Sequence, residues 1–459
     1  LVERVFLREH NGSLVPPPPC VEDVEVKLRG FKAELSRLLG VHRRWSAAEF
    51  VAAYAGRRRD VYERAAKSLE TTPIHRRDFR VTNAFVKAEK VNFTSKPDPA
   101  PRVIQPRNPR YNVEVGRFLK GLEHYVYEAI GSIMGGPTVM KGYNAEQVAE
   151  HISNAWGQFS DPVAVGLDAS RFDQHVRPQI LEWEHSIYLG CFRGADRERL
   201  AWLLSGQVMN ECSMRVSDGS VKYRVFGSRM SGDMNTALGN CLVMCAMVWD
   251  LLKTSGVHGR LFNNGDDCVV IMEKRDLRRF QDRCIDHFLR YGFTMKVERP
   301  VFVMEQIEFC QAKPVWDGER WVMVRSPHTC LSKDGVCVVK DYGWGNAARY
   351  WLGAVGECGM AMTGGIPVMC EYYSTFARAG IPSKPVSVVT ETGMAMLARG
   401  LHRKGRSITD EARVSFWRAF GITPTQQREL EEWFRTAAVL VPEHPCIRRI
   451  PPTGVIPFY

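Results

Sequence analysis

Three aspartates, Asp168 and the adjacent pair Asp266-Asp267, could hold a divalent cation if the fold brings them together. Carboxylate oxygens are hard ligands. A small set of them binds Mg²⁺ and still leaves positions for waters and phosphate oxygens, which is the arrangement phosphoryl transfer needs. A Gly-Asp-Asp triplet alone is most often a solvated turn, and the spacing of Asp168 and Asp173 is uninformative by itself. The same chemistry needs cations for a triphosphate, and these are concentrated. Between Arg76 and Lys120 eleven basic residues face four acidic ones, so this segment carries most of the chain's net charge of +11. Lys87, Lys90, Lys96, Arg102 and Arg107 lie within it and are expected to neutralise the phosphates of a polyanionic partner. The planar forks of the two arginines suit phosphate oxygens best, whereas any single lysine can equally belong to a solvated face.

The elements that must position these groups are legible in outline. Val163–Leu167 is an apolar run suited to a buried strand, which puts Asp168 at a strand end; Pro178 opens a helix. Leu261–Asn264, Gly265 and Cys268–Met272 read as a β-hairpin turning at Asn264-Gly265, with Asp266 and Asp267 just after the turn. Asn240–Leu252 is apolar on nearly every face, as in a helix buried inside a large domain. Residues 71–111 are rich in proline and predict extended loops and short strands. Capping boxes at Ser46/Glu49 and Thr423/Gln426 start helices, and beyond Ser326 the composition is helical.

Composition sets the class. A chain of 459 residues with 45% hydrophobic content folds as a large multi-lobed body and is not disordered throughout. The longest apolar run, Cys241–Trp249, ends at Asp250, well short of the roughly 18 residues of a membrane span. The thirteen cysteines are scattered, without a CxxC pair, which argues for free thiols in a reducing compartment. The first residue is Leu1, so the chain is expected to be a processed product, a fragment or the downstream part of a longer translation product.

Specificity comes from an ordered set of segments. Pro101-Arg102-Val-Ile-Gln-Pro-Arg107 is followed by Gly166-Leu-Asp168-Ala-Ser-Arg-Phe-Asp173, then by Ser231-Gly232-Asp-Met-Asn-Thr236-Ala-Leu-Gly239-Asn240. Gly265-Asp266-Asp267, Gly292-Phe-Thr-Met-Lys296 and Phe309-Cys310-Gln311 complete the series. This order resembles motifs F, A, B, C, D and E of viral RNA-dependent RNA polymerases. Its wording, with Pro106-Arg107-Asn-Pro-Arg-Tyr111, is similar to the tombusvirus family of positive-strand plant RNA viruses.

The resemblance implies an α+β right-hand polymerase with an antiparallel palm sheet and a mostly helical thumb. Its expected parts are an N-terminal extension (1–70), fingers carrying motif F (71–160), palm with motif A (161–178), a fingers insertion (179–227), palm with motifs B to E (228–324) and thumb (325–459). The catalytic core is expected at about 160–275. Asp168, Asp266 and, more weakly, Asp267 would bind Mg²⁺, with Mn²⁺ as a substitute. Lys296 would be the general acid for the leaving pyrophosphate. Asp173 stands where a reverse transcriptase carries a bulky aromatic; with Ser231, Thr236 and Asn240 it would read the ribose 2′-hydroxyl. Gly232 would let the template backbone pass, Lys87 and Lys90 would contact RNA, and Cys310 and Gln311 would belong to the primer grip. Arg325 would meet the initiating nucleotide and so imply primer-independent starts. The expected partners are template and nascent RNA, NTPs, other viral replication proteins and host factors. The expected location is membrane-associated replication complexes in the host cytoplasm, reached through upstream segments or partners. Two alternatives stand beside this reading: a non-catalytic RNA-binding replication subunit, and a reverse transcriptase.

Overall fold

A computed structural model describes residues 1–90, 99–216, 218–337, 344–382, 394–441 and 443. In chain order the strands are β1 (Arg8–His10), β2 (Ser13–Val15), β3 (Val81–Val86), β4 (Val103–Ile104), β5 (Pro162–Ala169) and β6 (Met209–Val216). They continue with β7 (Gly219–Phe226), β8 (Gly259–Asn264), β9 (Asp267–Glu273), β10 (Met295–Val297), β11 (Ala312–Trp316) and β12 (Trp321–Arg325). Contacts divide the chain into two compact units. One comprises residues 1–87, 99–142 and 151–310; the other comprises 88–90, 143–150 and the described residues from 311 onward.

The first unit is built on an antiparallel sheet of order β10-β5-β9-β8. Val163, Ala164, Val165 and Leu167 of β5 are all buried, so the strand is covered on both faces, as its unbroken apolar run requires. The helix Thr236–Ser255 packs in the same core, together with Phe280, Cys284 and Phe288 of the helix Leu277–Arg290. Each fully buried Leu or Val contributes roughly 1.5–3 kcal/mol, enough collectively to hold the strand ends in register. Thr236–Ser255 is long and apolar enough to cross a membrane, but 78% of its most apolar stretch is buried inside the protein. A second sheet, of order β4-β3-β6-β7, is antiparallel except where β3 runs parallel to β6.

Two local expectations need correcting. The hairpin turn is not at Asn264-Gly265: Asn264 pairs with Asp267, so the two turn residues are Gly265 and Asp266. Gly265 takes the first central place with φ +85, where a two-residue hairpin turn needs positive φ. The buried Asn263 side chain fixes this choice, donating to the Gly265 carbonyl (2.7 Å) and accepting from the Gly265 N–H (3.2 Å). The second correction lies in the proline-rich stretch, where Pro109 begins a helix running to Met134. Pro109 occupies the first helical position, where the missing N–H costs nothing, and the Asn108 side chain caps the Arg110 N–H.

In the second unit β11 and β12 form a hairpin, and the described elements that follow are all helical. The helices Gly345–Thr363 and Met369–Ala379 pack closely because Gly356 and Gly359 offer no Cβ; side chains there would overlap Ala377 and the Tyr373 ring. The capping boxes at Ser46/Glu49 and Thr423/Gln426 form as expected, and the twelve described cysteines are all free.

Candidate active site

Strand register builds the acidic centre. Across the sheet, Lys296 of β10 lies opposite Asp168 of β5, Asp168 opposite Asp267 of β9, and Asp267 opposite Asn264 of β8. Directly opposed residues share a face, so these four side chains form one row at the sheet end, with Asp266 at the turn beside them. Asp168 and Asp266 are exposed, and their carboxylates have no hydrogen-bond or ion-pair partner among the described residues. Asp267 is half-buried and accepts the Cys310 N–H at 2.8 Å. Burial pushes its carboxyl up to about 6, and the nearby charges of Asp266 and Glu298 add to the shift against the lowering effect of that hydrogen bond. Lys296 is exposed beside this row.

Two supports of this centre were not legible in the sequence. Cys310 and Gln311 both have left-handed backbone (φ 53 and φ 60), a conformation that costs roughly 1–2 kcal/mol per non-glycine residue and here aims the Cys310 N–H at Asp267. Lys141 donates from Nζ to Asn264 Oδ1 at 2.5 Å, and Asn264 Nδ2 meets Cys310 Sγ at 3.1 Å. Lys141 arrives there because Val139 bridges Asn263, a pairing between distant segments that no local pattern announces.

A second cluster surrounds Asp173, which is half-buried. Asn240 Nδ2 donates to Asp173 Oδ1 at 2.8 Å. Burial raises the Asp173 carboxyl most, with Asn240 and Arg229 opposing and Asp266 and Asp233 reinforcing the shift. Ser231 does not reach this pair; its hydroxyl accepts the Gln105 N–H at 2.8 Å. Thr236 donates its hydroxyl to the carbonyls of Met230 and Asp233, both at 2.9 Å, and so closes its own loop. Gly232 bridges Pro106, and a Cβ there would come within 2.5 Å of Gln105 O and Pro106 Cα. A close approach that demands glycine is thus already present to the protein's own segment 105–107.

Residues 1–441 match the family described as viral RNA dependent RNA polymerase. The chain belongs to that family. It is 48% identical over 436 residues to the RNA-directed RNA polymerase of Melon necrotic spot virus, covering 94% of this chain and 55% of the relative. Against the RNA-directed RNA polymerases of Turnip crinkle virus and Tomato bushy stunt virus (strain Cherry) it is 44% identical in each case, over 96% and 94% of this chain and 57% and 52% of those proteins. The chain thus spans about half the length of the curated relatives it matches.

Membership of the polymerase family implies dependence on divalent metal in general. Among the described residues no group of three or more His, Cys, Asp or Glu side chains is gathered closely enough to hold a metal ion by itself. The donor set nonetheless fits Mg²⁺, which takes one or two carboxylates together with waters and substrate phosphates and dispenses with an all-protein cage. Asp168 and Asp266 are such carboxylates, exposed and without a competing partner among the described residues.

Three basic residues expected to serve substrate are engaged elsewhere. Arg107 is only 3% exposed; it donates to Asp233 (2.6 Å), the carbonyls of Phe79 (2.5 Å) and Gly206 (3.2 Å), and Asn210, leaving no guanidinium face for a phosphate. Lys90 donates to the Lys333 carbonyl at 2.5 Å and stands over the Trp351 ring, and burial lowers its pKa. Arg325 grips the buried Asp334 (2.8 and 3.1 Å), which Tyr373 also holds, so its charge is spent inside the second unit. In each case the cationic pattern in the sequence is real, but an internal acceptor takes the donors. Lys87 and Arg102 are exposed and joined through the backbone, Lys87 N–H to Arg102 O at 2.9 Å. Gln311 is exposed, and Lys96 lies outside the described residues.

Proposed function

We propose that this chain is the RNA-synthesising part of a positive-strand plant virus replicase, copying RNA templates from NTPs. The observation that carries the reading is the row Lys296, Asp168, Asp267 on one face of the sheet, with Asp266 at its edge and two of the carboxylates unpartnered. In the reaction the 3′-hydroxyl of the growing RNA gives up its proton to water and its oxygen bonds to the α-phosphorus of the NTP, the bond from that phosphorus to the bridging oxygen breaks, and pyrophosphate leaves. Asp168 and Asp266, helped by Asp267, are proposed to hold Mg²⁺ or Mn²⁺. When bound, the metal would offset negative charge on the reacting oxygens. Lys296, which lies opposite Asp168, is the proposed proton donor to the leaving pyrophosphate. Asp173, oriented by Asn240, is the proposed acceptor for the ribose 2′-hydroxyl; a reverse transcriptase would place bulk there. Arg102 and Lys87 remain the candidate cations for phosphates.

The proposal extends to layout: the β10-β5-β9-β8 sheet as palm, the basic segment with the β4-β3-β6-β7 sheet as fingers, and the helical second unit as thumb. Primer-independent initiation, action with other viral proteins and host factors, and residence at membrane-associated complexes are parts of the same reading. The engagement of Arg325 with Asp334 removes its support from the initiation proposal. The test is incorporation of labelled NTPs on an RNA template with Mg²⁺. Template-dependent product from the wild type and none from Asp168→Ala supports the reading. RNA binding with no synthesis by either protein would favour the non-catalytic subunit instead.

A further inference from the structure

Behind the Asp173–Asn240 pair lies a buried polar network that the polymerase reading does not use. Arg229 and Glu184 are 1% and 0% exposed, and their ion pair is sealed from solvent. Arg229 Nη1 donates to Glu184 Oε1 at 3.1 Å, Nη2 donates to Glu184 Oε2, and Nε donates to Asn240 Oδ1 at 3.1 Å. Glu184 is itself fixed by the Asn235 amide (2.7 Å) and the Tyr188 hydroxyl (2.9 Å). Gly239 makes the room, since a Cβ there would overlap both the guanidinium and the carboxylate.

A buried ion pair rarely gains stability over well-packed apolar side chains, so its value lies in what it specifies. Here the consequence is directional. An Asn amide has one accepting and one donating end, and only one orientation satisfies a given pair of neighbours. Because Arg229 must donate to Oδ1, Asn240 must turn its NH₂ toward Asp173, where it donates at 2.8 Å. That occupies Asp173 Oδ1 and leaves the other carboxylate oxygen to a ligand hydroxyl. Rotated the other way, the amide would oppose its oxygen to the carboxylate and disturb the acceptor.

We propose that Arg229, held in place by Glu184, is the positioning residue that fixes the Asn240 amide and thereby sets the preference of the site for ribose over deoxyribose. The inference rests on the polymerase reading and deepens it. Its test is single-nucleotide incorporation by the full chain, comparing kcat/KM for a ribonucleotide and its 2′-deoxy counterpart. One variant combines Arg229→Met with Glu184→Leu, removing the pair as a unit without stranding a buried charge. The second is Arg229→Lys, which keeps a charge for Glu184 but cannot supply three donors in a planar fork.

The expected result is a fall of about tenfold in the ribose-to-deoxyribose ratio, the worth of one hydrogen bond to a charged group, arising mainly from slower ribonucleotide use. A role confined to stability would slow both substrates alike and leave the ratio fixed, so an unchanged ratio in an active variant overturns the inference. Two variants inactive on both sugars would likewise assign Arg229 to the fold and overturn it. A wild type that incorporates neither nucleotide would sink the polymerase reading, an outcome distinct from an active wild type with unchanged variants.

Discussion

The end of the β10-β5-β9-β8 sheet and the loop Arg229–Thr236 are both crowded with charge, and they treat it in opposite ways. At the sheet end Asp168 and Asp266 face solvent without partners among the described residues, and Asp267 carries a pKa raised by burial and by like charges. In the loop, Arg229 and Asp233 are sealed in ion pairs with Glu184 and Arg107, and all four side chains are without solvent exposure. Unpaired like charges at a sheet end repel one another and cost stability, which a protein tolerates where a cation and a polyanionic substrate are to complete the site. Paired buried charges hold a shape and leave nothing for a ligand. Removing one charge should therefore abolish activity but spare the fold at the first place, and cost stability first at the second.

The largest effect is expected from Asp168→Asn or Asp266→Asn. NTP incorporation should fall about 10³-fold or more, the scale of several kcal/mol of lost charge stabilisation, while the thermal midpoint stays level or rises as repulsion is relieved. At the loop, Asp233→Ala strands the Arg107 guanidinium in the interior and should cost about 3–5 kcal/mol in urea denaturation. Adding Arg107→Met should recover most of that loss; a single variant as stable as wild type would break the contrast.

Lys296→Leu should lower kcat about 10²-fold and flatten the basic limb of the pH-rate profile, the signature of a missing general acid. Unchanged turnover and profile would return Lys296 to the solvated surface. Lys141→Met should have a smaller effect, about tenfold in activity, with a higher Mg²⁺ requirement, because it frees Asn264 and loosens the contact with Cys310 behind Asp267. Equal Mg²⁺ dependence in the variant would show that Lys141 only braces the hairpin.

What the sequence disclosed follows the same division. The buried strand at Val163–Leu167, the hairpin and the apolar helix were legible because hydrophobic period and turn chemistry are local. The three aspartates were legible because their order along the chain matches a family pattern. The fates of Arg107 and Lys90 were not, since what engages each is an acceptor far away in sequence: Asp233 for Arg107, and the Lys333 carbonyl for Lys90. The pairing of Arg229 with Glu184 is hidden in the sequence for the same reason, since the two lie 45 residues apart and are joined only by the fold. Arg325 is taken by Asp334, nine residues on, across the helix that begins at Pro327. The turn shifted by one residue because the Asn263 side chain, and not the Asn-Gly dipeptide, decides where the chain reverses.

The most direct measurement takes wild type and Asp266→Asn, prepared side by side, and records both template-directed NMP incorporation with Mg²⁺ and thermal unfolding. Template-dependent synthesis by the wild type is expected, with none detectable from a variant that unfolds at the same temperature or higher. Undiminished synthesis by that variant would contradict the assignment of the sheet end as the reaction centre.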